Sequence, residues 1–374
     1  MRILFTSFPA IGHFHPVAPL ASAARDAGHD VRVASGRDLA DWATRCGFDA
    51  YVVGPAQAEL VSIAQKRFPD AWPEHLFTDV WVALALPGLV TLGRSWRPDL
   101  VVHEEEEYGG VLLASLLNIP VITHSWHAPV RSPAGRLEAQ ELLADIWTEH
   151  LPGAPVRSAG NLYLDACPPA MQSENIHLIA NVVSVRPVSF DGVTDAVPAW
   201  LHDLPRPAAY VTLGTVGVFS TAERLRLIVD AVAPLVASVV LTTGPNAVES
   251  LGALPAHAHA IRYLPQSAVL PNVDLVVSQA GAGGTLGALE HALPHLMLPF
   301  VESQSQIAAA AAIDRLGAGR SMAPDQRDER SIRAAAAELL HNPDFRTRAA
   351  AIRSDLQRLP SPADVVKLLV ATAA

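Results

Sequence analysis

Short apolar runs alternate with stretches of helical spacing through both halves of the chain, and each alternation predicts a strand followed by a covering helix. In the first half, runs at 3–5, 31–34, 51–53, 100–102 and 121–123 read as strands. Helical spacing covers 17–27, with Pro16 near the first turn and Gly28 at the C-cap, and then 111–117 and 137–149. Residues 55–95 hold Trp72, Phe77 and Trp81 among apolar helical spacing and read as core with some aromatic lining for an apolar pocket. The segment 152–207 carries eight prolines, predicts one loose strand at 178–179, and contains the inter-domain crossing at 186–198. In the second half, runs at 209–213, 239–242, 261–264, 275–278 and 296–300 read as strands. Helices are expected over 221–236 (capped by Ser220 or Thr221), 286–292, 307–316, 329–340 and 362–371. The pattern predicts an α/β protein with two parallel sheets, each covered by helices.

Composition narrows the partners. The 374 residues suit two domains, and half of them are apolar, so each can build a core. The net charge of −10 and a pI near 5.8 argue against nucleic acid and against an anionic membrane surface as main partner. Cys46 and Cys167 have no metal-ligand spacing and form no disulfide framework, which fits a reducing cytoplasm. The start MRILFTSF reads as a strand rather than a signal peptide, and no uninterrupted apolar stretch reaches transmembrane length, so no integral membrane association is expected.

The candidate chemistry lies where strands end. The stretch DLVVSQAGAGGTLGALEHALPHLMLPF (274–300) reads strand, glycine loop, helix, strand. Residues 280–285 hold too many glycines for a helix interior, so a loop is expected there. A glycine loop opening a helix aims unpaired backbone N–H groups and the positive end of the dipole at an anion, most often a phosphate. Such backbone donors need no net positive charge. After the first strand comes PAIGHFHP, a loop at the C-terminal sheet edge where α/β proteins bind ligands; it is not G-x-G-x-x-G, which speaks against a dinucleotide. Its His13 is placed to meet a substrate. The strand at 100–102 runs into HEEEEYGG. Four acids in a row are usually a solvated patch. At a strand end, however, Glu104 is placed to orient a site histidine and stabilise its charged form. His124 and His127 read as pocket lining, since no third ligand gives a metal spacing.

Taken in order, these motifs resemble the inverting, nucleotide-sugar-dependent glycosyltransferases of the GT-B fold, in particular the bacterial antibiotic type. FPAIGHFHP is similar to the family's G-H-x-x-P loop; PDLVVHE and LNIPVI resemble two of its strands; VTLGTV, YLPQ and DLVVSQAGAGGTLGALEHALP resemble its donor-binding half. The resemblance implies two Rossmann-like domains facing across a cleft: an acceptor-binding domain over 1–190, a nucleotide-sugar-binding domain over 200–357, and a helix at 358–374 packing back toward the first. It implies His13 as catalytic base and Glu104 as its partner. Thr215 and the loop of Gly281, Ala282, Gly283, Gly284 and Thr285 would hold the diphosphate, Tyr263 would stack on the nucleotide base, and Leu264 and Gln266 would contact base and ribose.

Two departures stand out. Gln279 occupies the place of the family's diphosphate-binding histidine, so the side chain there donates but carries no charge; Gly284 likewise replaces a threonine. The acid–Gln pair that grips sugar hydroxyls maps onto either Ser303-Gln304 or Ser305-Gln306, because a two-residue insertion makes counts from Pro299 and from Gly317 disagree. Neither has the acid, and Glu302 is the nearest carboxylate; a donor with fewer hydroxyls would suit such a site. The expectation is therefore a cytoplasmic hexosyltransferase-type enzyme of antibiotic biosynthesis. It would move a deoxysugar from dTDP, preferred over UDP, to a hydroxyl of an apolar natural product, with no metal and no cofactor beyond the nucleotide sugar, and with room for a homodimer. The alternatives are a catalytically silent GT-B auxiliary partner of another transferase, motivated by Gln279 and the missing acid, and a nicotinamide-dependent oxidoreductase.

Overall fold

The computed structural model describes residues 1–126, 129, 132–193, 197–215, 220–244, 246, 248–301 and 303–373. The chain divides into two compact units. Unit 1 comprises Met1–Cys167, Ser173–Gly192 and the C-terminal segment from Pro360; unit 2 comprises Pro168–Gln172 and Val193–Leu359. Pro168–Gln172, inside the span expected for the first domain, thus groups with unit 2.

Unit 1 is built on a seven-stranded parallel sheet: β1 (Arg2–Thr6), β2 (Asp30–Gly36), β3 (Asp49–Gly54), β4 (Leu100–Glu104), β5 (Val121–His124), β6 (Leu162–Asp165) and β7 (Val182–Ser184), in the order β3-β2-β1-β4-β5-β6-β7. The central strands are mainly apolar because helices cover both faces. On one face Leu4, Val101, Trp81, Leu89 and Leu112 form a core. On the other, Ile3, Phe5, Leu20 and Val33 pack with Val365, Val366 and Leu369 of the last helix, Pro362–Ala373. Strand order reverses between β1 and β4, which makes the loops after those two strands the natural ligand crevice.

Unit 2 repeats the plan with six parallel strands: β8 (Ala208–Thr212), β9 (Ser238–Thr242), β10 (Ala258–Ile261), β11 (Leu275–Ser278), β12 (His295–Met297) and β13 (Gly319–Ser321), in the order β10-β9-β8-β11-β12-β13. The reversal here falls between β8 and β11.

Several expectations are corrected. Residues 178–179 are no strand: Glu174–Leu178 is a 3-10 turn, and the segment supplies two short strands, β6 and β7. Both hide among prolines and turns, and their register comes from β5 rather than from any local period. The strand expected at 261–264 is Ala258–Ile261, which leaves Tyr263 and Leu264 in the loop after it. The helix Pro343–Gln357 was not expected; Asn342 caps it, accepting the Asp344 N–H at 3.0 Å, and only Phe345, Ala349, Ile352 and Leu356 are buried along one stripe. The glycine segment is partly helical: Ala282–Glu290 is the helix, so Gly283 and Gly284 lie in its first turn. A Cβ on Gly287 would lie 2.6 Å from Leu270 Cδ1 and 2.7 Å from Gln266 Oε1, so close helix packing calls for glycine there.

The run Trp72–Trp96 is long and apolar enough to cross a membrane by length and composition. More than half of it is buried within the protein, with Trp81, Val82, Ala85, Leu86 and Leu89 in the core described above.

Candidate functional site

In unit 1, β1 ends at Thr6 and the chain turns sharply. Ser35 Oγ donates to Ser7 O at 2.6 Å, and Pro9 packs so closely on Gly36 that a Cβ there would stand 2.6 Å from its ring. The short helix Ile11–Phe14 follows, and its His13 is 8 % exposed. Glu104 is the last residue of β4, the strand beside β1, and is fully buried. One carboxylate oxygen, Oε1, accepts the Glu106 N–H at 2.8 Å; the other stands 3.0 Å from His13 Nδ1, within ion-pair distance but short of a linear hydrogen bond. The two residues taken as catalytic therefore meet at the strand-order reversal.

The acid run is no solvated patch, since Glu104, Glu106 and Glu107 are all buried. Each acid has its own task. Tyr163 donates its hydroxyl to Glu105 at 2.7 Å. Glu107 caps the helix Tyr108–Leu117, accepting the Gly110 N–H at 2.9 Å, and takes the Trp81 indole N–H at 2.8 Å; burial raises its pKa. His103 is equally buried, and burial lowers its pKa to about 4, so the ring is neutral. Its two nitrogens are satisfied by Glu107 O at 3.0 Å and Thr123 Oγ1 at 2.7 Å, and that hydroxyl oxygen also accepts the Gly160 N–H. His124 was expected to line a pocket. It is instead a core residue, bonded through Nδ1 to Ser125 O at 2.6 Å and held neutral by burial with a pKa near 4. His127 lies outside the described residues.

In unit 2, Thr215 follows β8 and is exposed, and the glycine loop follows β11. Ala280 takes a left-handed φ of 61°, and its N–H donates to Ser278 Oγ at 3.0 Å. This turn brings Gly281 to the N-cap of Ala282–Glu290, where no side chain caps the helix and no acid occupies its first turn. Its first-turn N–H groups have no partner within the helix, which is the arrangement an anion can use. The Gln279 side chain folds across the glycines: a Cβ on Gly214 would lie 2.3 Å from its Nε2, and one on Gly281 would lie 2.8 Å away. Gln279 thus joins the loop after β8 to the loop after β11. Thr285 is fully buried in the helix, and its Oγ1 has no partner.

The remaining candidates all follow the C-terminal ends of strands. Tyr263 is partly exposed, Leu264 is buried, and Gln266 lies against the glycine helix beside Gly283 and Gly287. Of the two glutamines weighed for sugar contact, Gln306 turns back to accept the Phe300 N–H at 3.2 Å, while Gln304 opens its helix, Gln304–Arg315, and is exposed. Ser303 and Ser305 stand 3.3 Å apart, oxygen to oxygen. Glu302 lies outside the described residues. Phe77, expected as core or pocket lining, stacks on His13, and Phe8 and Trp126, not singled out in the sequence, also bring their rings against it. The sequence reading also missed His295, whose Nε2 lies 2.8 Å from Ser278 Oγ beneath the glycine turn. The only sequence cue was position: Phe8 and Trp126 each follow a strand by two residues.

Residues 226–372 match the C-terminal domain, and residues 75–214 the N-terminal domain, of the proteins described as erythromycin biosynthesis protein CIII-like. The chain belongs to that family. Among its relatives, TDP-daunosamine transferase DnrS of Streptomyces peucetius is 31% identical, with 99% of this chain and 96% of the relative covered. The solved glycosyltransferase SnogD from Streptomyces nogalater is 28% identical with a TM-score of 0.85, each chain covered completely. Glycosyltransferase VinC, solved in complex with dTDP, is 25% identical with a TM-score of 0.80 over 100% of this chain and 99% of that one. This CIII-like chain is accordingly a natural-product glycosyltransferase of hexosyltransferase type, with the GT-B fold. Likeness to transferases over the full length does not favour the silent-partner and oxidoreductase readings.

Proposed function

We propose that this glycosyltransferase moves a deoxysugar from a dTDP-sugar to a hydroxyl of an apolar natural product with inversion, using His13 as base. The observation that carries the reading is the His13–Glu104 contact at the reversal of the first sheet. His13 Nε2 takes the proton from the acceptor hydroxyl as that oxygen attacks the anomeric carbon, and the bond from that carbon to the diphosphate oxygen breaks on the opposite side. Glu104 stabilises the imidazolium that forms, and a base so placed contributes about 10²–10⁴-fold. The leaving diphosphate carries its charge to the N–H groups of the glycine helix, with the Gln279 amide as a neutral donor. That role for the helix needs no metal and no further cofactor. A dTDP donor is supported by the names of DnrS and VinC, and a deoxysugar by serines at 303 and 305 where an acid would grip hydroxyls.

The test is His13→Ala, assayed by mass spectrometry with dTDP-sugars over a panel of apolar hydroxylated aglycones. Transfer should vanish while dTDP titrated by calorimetry still binds. Unchanged turnover would remove His13 from the mechanism. Retention of anomeric configuration in the product, read by NMR, would remove the single-displacement scheme.

A further inference from the structure

Two aromatic rings stack against His13. The Trp126 ring lies 4.2 Å from the imidazole, centre to centre, at 29°; the Phe77 ring lies 5.4 Å away at 22°. Both are close to parallel with it. Phe8 meets the imidazole at 5.3 Å and packs on Phe77 and on Trp81, and Trp81 is in turn anchored by its indole bond to Glu107. Phe77 is presented by an irregular turn: Leu76–Val80 is π-helical, and Thr78 departs from helical geometry at φ −91°, ψ −107°. Such turns frequently mark functional positions.

The Glu104 contact alone does not fix the plane of the base, because its geometry falls short of a linear hydrogen bond. The terminal torsion of a histidine is broad and roughly two-fold in the absence of other constraints. Here a quarter turn would drive ring atoms into Trp126, inside the contact distance of about 3.5–4.0 Å that carbon atoms keep. The same faces attract a cation, so they also favour the imidazolium formed during transfer.

We propose that Trp126 and Phe77 are positioning residues: they clamp the His13 ring so that Nδ1 stays on Glu104 and Nε2 faces the acceptor hydroxyl. This rests on His13 being the base, and the test keeps the two ideas apart. The first readout needs no substrate: long-range proton–nitrogen NMR of the full chain labelled with ¹⁵N-histidine, with His13→Ala assigning the resonance. The native protein should show one tautomer, protonated at Nδ1. Trp126→Ala and Phe77→Leu should show averaged tautomers, and Trp126→Phe should restore the single one. The second readout is turnover with the dTDP-sugars and aglycones used above. Trp126→Ala should lower kcat by about ten- to a hundredfold with little change in KM, as misorientation of a catalytic group does, and Trp126→Phe should recover most of it. A single unchanged tautomer in Trp126→Ala and Phe77→Leu overturns the clamp, as does a loss confined to KM, which would make Trp126 an acceptor contact. If His13→Ala still turns over, the base assignment fails whatever the NMR shows.

Discussion

Replacing Ser278 by alanine tests how the glycine turn is held. Ser278 is fully buried at the end of β11, and its Oγ serves two neighbours at once, the Ala280 N–H at 3.0 Å and His295 Nε2 at 2.8 Å. The ring of His295 is neutral, because burial lowers its pKa to about 3, and its Nδ1 has no hydrogen-bond partner among the described residues. The serine therefore gives His295 its one bond and pins Ala280, a non-glycine residue at φ 61°. Ser278→Ala strands both buried groups. An unsatisfied buried donor or acceptor costs about 1–3 kcal/mol, so the pair should cost about 3 kcal/mol. In a domain of this size that lowers Tm by about 6–12 °C. Melting of unit 2 should show it, in the absence and presence of dTDP. On the proposed donor site, affinity for dTDP should fall too, because the Ala280–Gly281 turn sets the direction of the helix. A second variant isolates the relay. In a His295→Leu background only the Ala280 N–H remains to be stranded, so Ser278→Ala should cost about 1–2 kcal/mol less there. If Ser278→Ala costs under about 0.5 kcal/mol, or costs the same in both backgrounds, the relay has no energetic content and the argument falls.

Acid should destabilise both units, and unit 1 more steeply. His15, His103 and His124 in unit 1, and His295 in unit 2, have folded pKa values lowered by burial from 6.5 to about 4, 4, 4 and 3. The unfolded chain binds protons below pH 6.5 that the folded chain refuses until near pH 4. The stability these rings confer is thus present above pH 6.5 and lost as pH falls, at about 1.4 kcal/mol per pH unit for each ring. Glu107 acts in the opposite sense, since its raised pKa makes stability rise as pH falls toward 4.5. Tm measured from pH 7.5 to 5 should fall, and a flat profile would contradict neutral burial of these rings. Gly214→Ala places a Cβ 2.3 Å from Gln279 Nε2 on a backbone with φ 77°. It should cost about 1–2 kcal/mol for the left-handed backbone alone and weaken dTDP binding about tenfold. Gln279→Ala should then add little, and full additivity of the two on dTDP affinity would show that the amide has no part in binding.

What could be read in advance depended on how far apart along the chain the interacting residues lie. The strands with clean apolar runs, and the helices bounded by proline and glycine, were legible because their signal is local. So was Glu104, singled out as the first acid after a strand. The roles of its neighbours were not: Glu107 owes its place to Trp81, 26 residues earlier, and no local pattern reports that bond. The same holds for Ser278 and His295, which are brought together by the pairing of β11 with β12. The helical first turn through Gly283 and Gly284 was hidden for another reason. Glycine disfavours a helix interior by its entropy, yet a Cβ on Gly283 would make only ordinary contact, 3.5 Å from Gln266; the close packing that needs glycine comes one turn on, where Gly287 meets Leu270 and Gln266. The sugar-contact pair stayed ambiguous between Gln304 and Gln306 because an insertion shifts the count; the bond from Phe300 N–H to Gln306 leaves Gln304 as the one whose amide is exposed.

The two sheets share one winding, and that regularity carries more functional information than any single motif. Each runs outward from its first strand through the second to the third, then returns to place the fourth beside the first. In any chain wound this way, the loops after the first and fourth strands must neighbour one another, whatever their sequences. In unit 1 those loops carry His13 and Glu104, 91 residues apart by number and 3.0 Å apart at their closest atoms. In unit 2 they carry Gly214 and Gln279, so close that a Cβ on the first would stand 2.3 Å from the amide nitrogen of the second. The glutamine at 279, where the resemblance implies a histidine, fits that arrangement: its amide lies over Gly214 and Gly281 and can donate without carrying charge. Donor affinity in this glycosyltransferase should then depend more on the backbone cradle than on side-chain charge. Gln279→His is the direct check: if it raises dTDP affinity strongly, with a marked dependence on pH near the histidine range, the charge matters and the cradle does not suffice.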